Sequence, residues 1–126
     1  MEAIRMLQIS TYLFALTALG GIVMGWIRFS SGRNPPSSFA MGHGFLAAAG
    51  VTLLAYAIFA LDAPGTALLS LLLFLGASIG GVVLNLHYHL KEQPMPKAIV
   101  VVHAVVAVIA FVLLYMAAFT GDAAGV

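Results

Sequence analysis

His43, His87, His89 and His103 are the only histidines in the chain. Each lies inside or at the edge of a long apolar run, a few residues from a loop. Ionisable side chains within membrane spans are costly and mark functional sites. Neutral imidazole is also well suited to holding a metal ion or a haem iron. The other polar chemistry is sparse. Every Asp, Glu, Lys and Arg falls at a helix end or in a loop, so no carboxylate or cation is placed at mid-membrane for ion-coupled transport. No nucleophile–base pair and no His-Glu-x-x-His run is present, which argues against hydrolysis. Without cysteine, the chain has no disulfide, no thiolate-ligated iron–sulfur cluster and no covalent c-type haem.

The elements that must position these imidazoles follow from composition. Of the 126 residues, 63% are hydrophobic and 7% charged, whereas a soluble domain carries about a quarter charged residues. The sequence is that of a small integral membrane protein, one domain over residues 1–126, with the lipid bilayer as its first partner. A net charge of +1 gives no reason to expect nucleic-acid binding. The first apolar run exceeds a signal-peptide core and has no clear small-x-small cleavage site, so it is expected to be a retained helix. A membrane-crossing helix needs about 20 apolar residues. Four segments qualify, near 6–29, 39–61, 66–90 and 98–120. Asn34-Pro35-Pro36-Ser37-Ser38 breaks the chain, with Ser38 as the expected cap of the second helix. Asp62-Ala63-Pro64-Gly65 forms a tight turn, and residues 91–97 separate the last two helices. The tail Gly121–Val126 is small and expected to be loosely held. No internal repeat is apparent.

Short loops make successive helices antiparallel neighbours, so the expected fold is an all-α, up-down-up-down bundle of four transmembrane helices. Arg28, Arg33, Lys91 and Lys97 sit on one side and Arg5 alone among cations on the other. The positive-inside rule then puts the basic loops in the cytoplasm and both termini outside, as in a bacterial inner membrane. At 1.5 Å per residue, His43 lies roughly 6 Å into the second helix and His103 about 9 Å into the fourth. His87 and His89 precede the end of the third helix by some 3–6 Å. All four imidazoles are therefore expected in one shallow layer beside the basic loops.

Small residues accompany them: Ala47 and Gly50 with His43, Ala107 and Ala110 with His103, Gly81 with His89, and Gly80 with His87. Such stripes let helices approach closely, and they leave room for a flat macrocycle. In this topology the second and fourth helices stand diagonally opposite, so His43 and His103 are expected to bind one haem iron from its two faces. That closed geometry passes electrons. Arg28, Arg33, Lys91 and Lys97 would offer charge-assisted partners to haem propionates. His87 and His89 stand about 200° apart on a helix and cannot both face one site. His89 is favoured as the inward-facing residue, and either His89 or His87 is expected to support a second ligand set or the electron path while the other turns to the interface, lipid headgroups or a partner.

This layout resembles the b-type cytochromes of the cytochrome b561 kind: four spans, His43 on the second, His103 on the fourth, and small residues beside each. The chain departs from that family in lacking a histidine on its first span and a second histidine layer on the far side. The resemblance implies non-covalent haem b, one or two per chain, and oxidoreductase or electron-transfer work with a quinol or a redox partner protein. Two other readings stay open. The same imidazoles suit zinc or copper, although a bare metal needs three or four nitrogens about 2 Å from one point. The chain also has the size of an accessory subunit or homo-oligomer component, in which the histidines would hold haem or a chlorophyll magnesium.

Overall fold

The structure, a computed structural model, describes residues 2–120. The tail Gly121–Val126 lies outside the described residues. The chain is an all-α bundle of four helices long and apolar enough to cross a membrane. Helix α1 spans Glu2–Ser31 and α2 spans Ser37–Leu61. Helix α3 spans Gly65–Val83 and continues as a π-helical segment, Leu84–His89. Helix α4 spans Lys97–Tyr115 and also runs on as a π-helical segment, Met116–Thr120. Helices α2, α3 and α4 begin one or two residues earlier than the apolar runs suggest, because proline leads the chain into them. Pro36, Pro64 and Pro96 occupy the N-cap positions of α2, α3 and α4. The expected Ser38 cap is not made: Ser38 is already inside α2, which has no side-chain cap. Helix α1 ends at Ser31 with Gly32 in the left-handed region at φ 69°, the usual glycine stop at a helix C-terminus.

Helices α1 and α2 pack closely as one hairpin, α3 and α4 as a second, and the two hairpins meet more sparsely through α2–α3 and α1–α4. The diagonals are therefore α1–α3 and α2–α4. Ser10 Oγ donates to the Gly50 carbonyl at 2.8 Å, and Ser70 Oγ donates to the Ala110 carbonyl at 2.7 Å. His43 Nδ1 meets the Thr17 carbonyl at 2.9 Å, and His103 Nδ1 meets the Ala77 carbonyl at 2.8 Å. Each feature recurs 60 positions later in the chain.

The chain is thus an internal repeat, which corrects the expectation that it has none. Once aligned by the hydrogen bonds, the sequence agrees: Ser10/Ser70, Phe14/Phe74, Gly20-Gly21/Gly80-Gly81, Pro36/Pro96, His43/His103, Leu54/Leu114 and Ala57/Ala117 coincide. The backbone repeats as well, since Glu92 at φ 54° takes the left-handed conformation of Gly32. A residue that touches its own equivalent must lie on the two-fold axis relating the halves. Two pairs do so. Phe14 and Phe74 stack with ring centres 3.6 Å apart and planes 3° apart, and the His43 and His103 ring centres lie 6.2 Å apart. The pseudo-two-fold therefore runs along the bundle.

The core occupies one end of that axis. Leu7, Leu54, Ala57, Ala67, Leu71, Ala110, Leu114 and Ala117 close around the phenylalanine pair. Gly50 is fitted to that stack, for a Cβ there would stand 2.8 Å from Phe14 Cε2. Gly50→Ala should displace the ring and cost about 1–3 kcal/mol, read as a lower unfolding midpoint in detergent. Ser10→Ala and Ser70→Ala should each cost about 0.5–1.5 kcal/mol. Because the two bonds are equivalent, the two losses should agree within error; a large difference would contradict the repeat.

Candidate functional site

The other end of the bundle is built differently. No residue of α2 between Ser37 and Ala49 is buried, and none of α4 between Lys97 and Ile109. Along α1 no buried residue lies between Thr17 and Arg28, and along α3 none between Ala77 and Leu84. Helices that close tightly around leucine and phenylalanine at one end enclose no sealed apolar core at the other. The His43–His103 pair sits in that open half.

Each imidazole is held by the neighbouring helix of its own hairpin. His43 leaves α2 and lies across Gly20 and Gly21 of α1: a Cβ on Gly21 would stand 3.1 Å from His43 Cε1. His103 leaves α4 and lies across Gly80 and Gly81 of α3, where a Cβ on Gly81 would stand 3.2 Å from His103 Cε1. The double glycine is a notch that lets a ring reach the main chain behind it. There the carbonyls of Thr17 and Ala77 accept from Nδ1. A carbonyl only accepts, so in the neutral ring Nδ1 carries the hydrogen and Nε2 keeps its lone pair. Orienting a metal-binding histidine by donation to a carbonyl is the usual arrangement around such ligands. The result is two imidazoles on diagonal helices, of fixed tautomer, each with one nitrogen left to act as a ligand.

The glycines at positions 80 and 81 therefore serve His103, where the linear stripe reading paired them with His87 and His89. Those two histidines lie apart from the pair. His87 is exposed and meets the Tyr88 ring edge-on at 4.9 Å between centres. His89 is half-buried and lines a groove between the two basic loops with Arg33, Asn34, Pro36 and Glu92. Both belong to the π-helical segment, in which the Leu90 N–H reaches back to Asn85. The wider turn shifts them off the face that an ideal α-helix would give. Among the described residues, no three His, Asp or Glu side chains come together as a metal cluster. The four imidazoles thus do not assemble around one point.

Arg28 is also more deeply set than a surface cation. It is only 8% exposed, donating from Nε to the Met95 carbonyl at 2.8 Å and from Nη1 to the Gly32 carbonyl at 2.6 Å. Asn34 adds two bonds between the same loops, to the Gln93 carbonyl and from the Met95 N–H. Buried Pro35 and Met95, equivalent in the repeat, lie in this stitched roof. Lys97 closes the outside, its Nζ 5.3 Å from the centre of the Phe29 ring.

No protein-family model, curated protein or solved structure matches the chain. Function must be argued from the site.

The tautomer assignment is directly measurable. Nitrogen-15 NMR of histidine-labelled protein without added ligand should show two rings protonated at Nδ1 and bare at Nε2. Gly21→Ala or Gly81→Ala should disturb one of these signals at a time, while Gly42→Ala and Gly44→Ala, which face open space, should leave both unchanged.

Proposed function

We propose that the chain is a small b-type cytochrome, holding non-covalent haem between His43 and His103 and passing electrons through it. The observation that carries this reading is the pair itself: two Nε2 lone pairs on diagonal helices, in the half of the bundle with no sealed core. Two imidazoles bound to opposite faces of one iron, with metal–nitrogen bonds of about 2 Å, have ring centres roughly 6 Å apart. The rings here are 6.2 Å apart. Both donors come from one layer, which favours a single haem per chain over two. A bis-histidine iron has no free axial position, so its work is electron transfer without substrate bound at the metal.

The residues divide the task. His43 and His103 ligate, and the Thr17 and Ala77 carbonyls orient them and raise their basicity by accepting the Nδ1 hydrogens. Gly20, Gly21, Gly80 and Gly81 give the rings room. His87 and His89, set apart from the pair, are not needed for ligation. The basic loops face the cytoplasm of a bacterial inner membrane under the positive-inside rule. Electrons would come from a membrane donor such as a quinol, or from a partner protein, and leave to an acceptor. The bare zinc or copper alternative is less well supported, since only two imidazoles meet.

Absorbance spectroscopy tests the reading. The protein purified in mild detergent should show sharp reduced α and Soret bands after dithionite, with a pyridine haemochrome ratio near one haem per chain. His43→Ala and His103→Ala should each abolish the bis-histidine spectrum, and His87→Ala and His89→Ala should retain it. Wild-type-like haem content in both His43→Ala and His103→Ala would overturn the assignment, as would a colourless protein carrying zinc or copper.

A further inference from the structure

The two imidazoles that meet on the axis are not coplanar: their planes stand 58° apart. Histidine has little preference of its own in this respect, because rotation about its Cβ–Cγ bond is broad and roughly two-fold. The angle is set from outside, by the helix on which each ring leans. His43 Nδ1 is 2.9 Å from the Thr17 carbonyl, and its Nδ1–Cε1 edge lies along Gly20 and Gly21. His103 Nδ1 is 2.8 Å from the Ala77 carbonyl, with the same edge along Gly80 and Gly81. Turning either ring about Cβ–Cγ would carry Nδ1 off its carbonyl and lift that edge out of the notch. A donor in an apolar bundle that loses its acceptor is costly. Each hairpin therefore fixes the rotation of its ring as well as the tautomer.

That rotation has an electronic consequence. When two imidazoles bind one iron through Nε2, the line through both nitrogens lies in both ring planes. The angle between the planes is then the twist between the ligands about that line. Each ring carries a filled π orbital perpendicular to its plane, which acts on one of two matching iron d orbitals. Parallel rings act on the same orbital and split the pair. Crossed rings act on one each and leave the pair nearly equal in energy. Only the ferric state, with a vacancy in that pair, gains from the splitting.

We infer that the Thr17 and Ala77 carbonyls, together with the glycine pairs under the rings, hold the axial imidazoles crossed, so that ligand rotation favours reduced haem. The inference rests on the haem reading above and gives its hydrogen bonds a second task. The twist opposes the other effect of the same bonds, since a more basic ligand favours the ferric state. Gly21 and Gly81 are positioning residues, reaching the iron only through His43 and His103. Because the repeat copies the device, both flanks contribute to the twist in the same way.

Low-temperature electron paramagnetic resonance of the ferric full chain, loaded with protohaem in phosphatidylcholine nanodiscs, reads the twist directly. Crossed ligands give one low-field feature of large g, whereas parallel ligands give three resolved rhombic features. The wild type should show the first pattern. Gly21→Ala and Gly81→Ala, whose added methyls would stand 3.1 and 3.2 Å from the Cε1 atoms, should each shift that feature and retain the bis-histidine absorbance spectrum. Gly44→Ala, which faces open space, should leave it in place. Gly20→Ala and Gly80→Ala are milder, their methyls meeting Nδ1 at 3.9 and 3.6 Å, and they serve if the first pair fails to fold. Three resolved features in the wild type would mean that the rings turn parallel on binding, and would overturn the inference. A large-g signal that none of the four notch variants moves would overturn it too, because the twist would not come from the notch. A wild type with no bis-histidine spectrum at all would instead remove the haem reading itself.

Discussion

A helix in an apolar bundle has few carbonyl lone pairs to spare, and a histidine inside such a bundle has an N–H that must be given one. The chain solves this twice with the same device. Each ring crosses a glycine pair and donates to the main chain of the adjacent helix, three to four residues before the glycines of that pair. The bond sets how closely the helices of a hairpin approach, which tautomer the ring adopts, and where its second nitrogen lies. Much else follows from it. The glycine pairs exist to admit the rings. The two imidazoles reach one layer because the hairpins that hold them are copies.

Along the axis the bundle is organised by what sits at each level. At the end bearing the first residues, stacked phenylalanines and close-packed leucine and alanine give a rigid floor. Above it comes the histidine layer, with loosely enclosed helices. At the top, Arg28 and Asn34 tie the two loops into a roof. The apolar packing that joins all four helices is thereby concentrated at one end, and the histidine layer lies outside it.

How much of this could be read from the sequence depends on the length scale. Four helices, their order and their diagonal pairing follow from hydropathy and loop length, since a 19-residue or longer apolar helix leaves little choice. The His43–His103 pairing follows from that topology. The repeat does not show to the eye, because lipid-facing positions drift freely among Leu, Ile, Val, Ala and Phe. The shared residues are isolated letters such as Ser10/Ser70 and His43/His103, separated by apolar noise. The signal was nonetheless present in the identical spacing from Ser10 to Phe14 to Gly20-Gly21 and from Ser70 to Phe74 to Gly80-Gly81. His87 and His89 were harder to place, since a π-helical turn has no simple sequence mark and rotates everything after it. The burial of Arg28 is equally unreadable, because it depends on carbonyls in two loops, one of them 67 residues away.

Two hairpins on one polypeptide differ in one respect from two copies of a single hairpin. In a symmetric pair of separate chains every substitution appears on both sides of the axis, so an improvement on one side carries its twin on the other. Fusion removes that bond between the halves. The imidazoles, the glycine pairs and the stacked phenylalanines are matched, whereas Leu7 corresponds to Ala67 and Gly50 to Ala110 in the floor, and Arg28 corresponds to Tyr88 and Asn34 to Pro94 toward the roof. Differences of this kind run the length of the bundle and spare the rings that meet on its axis. Joining the hairpins thus gives the molecule a front and a back, and the two flanks of its histidine layer need not be alike.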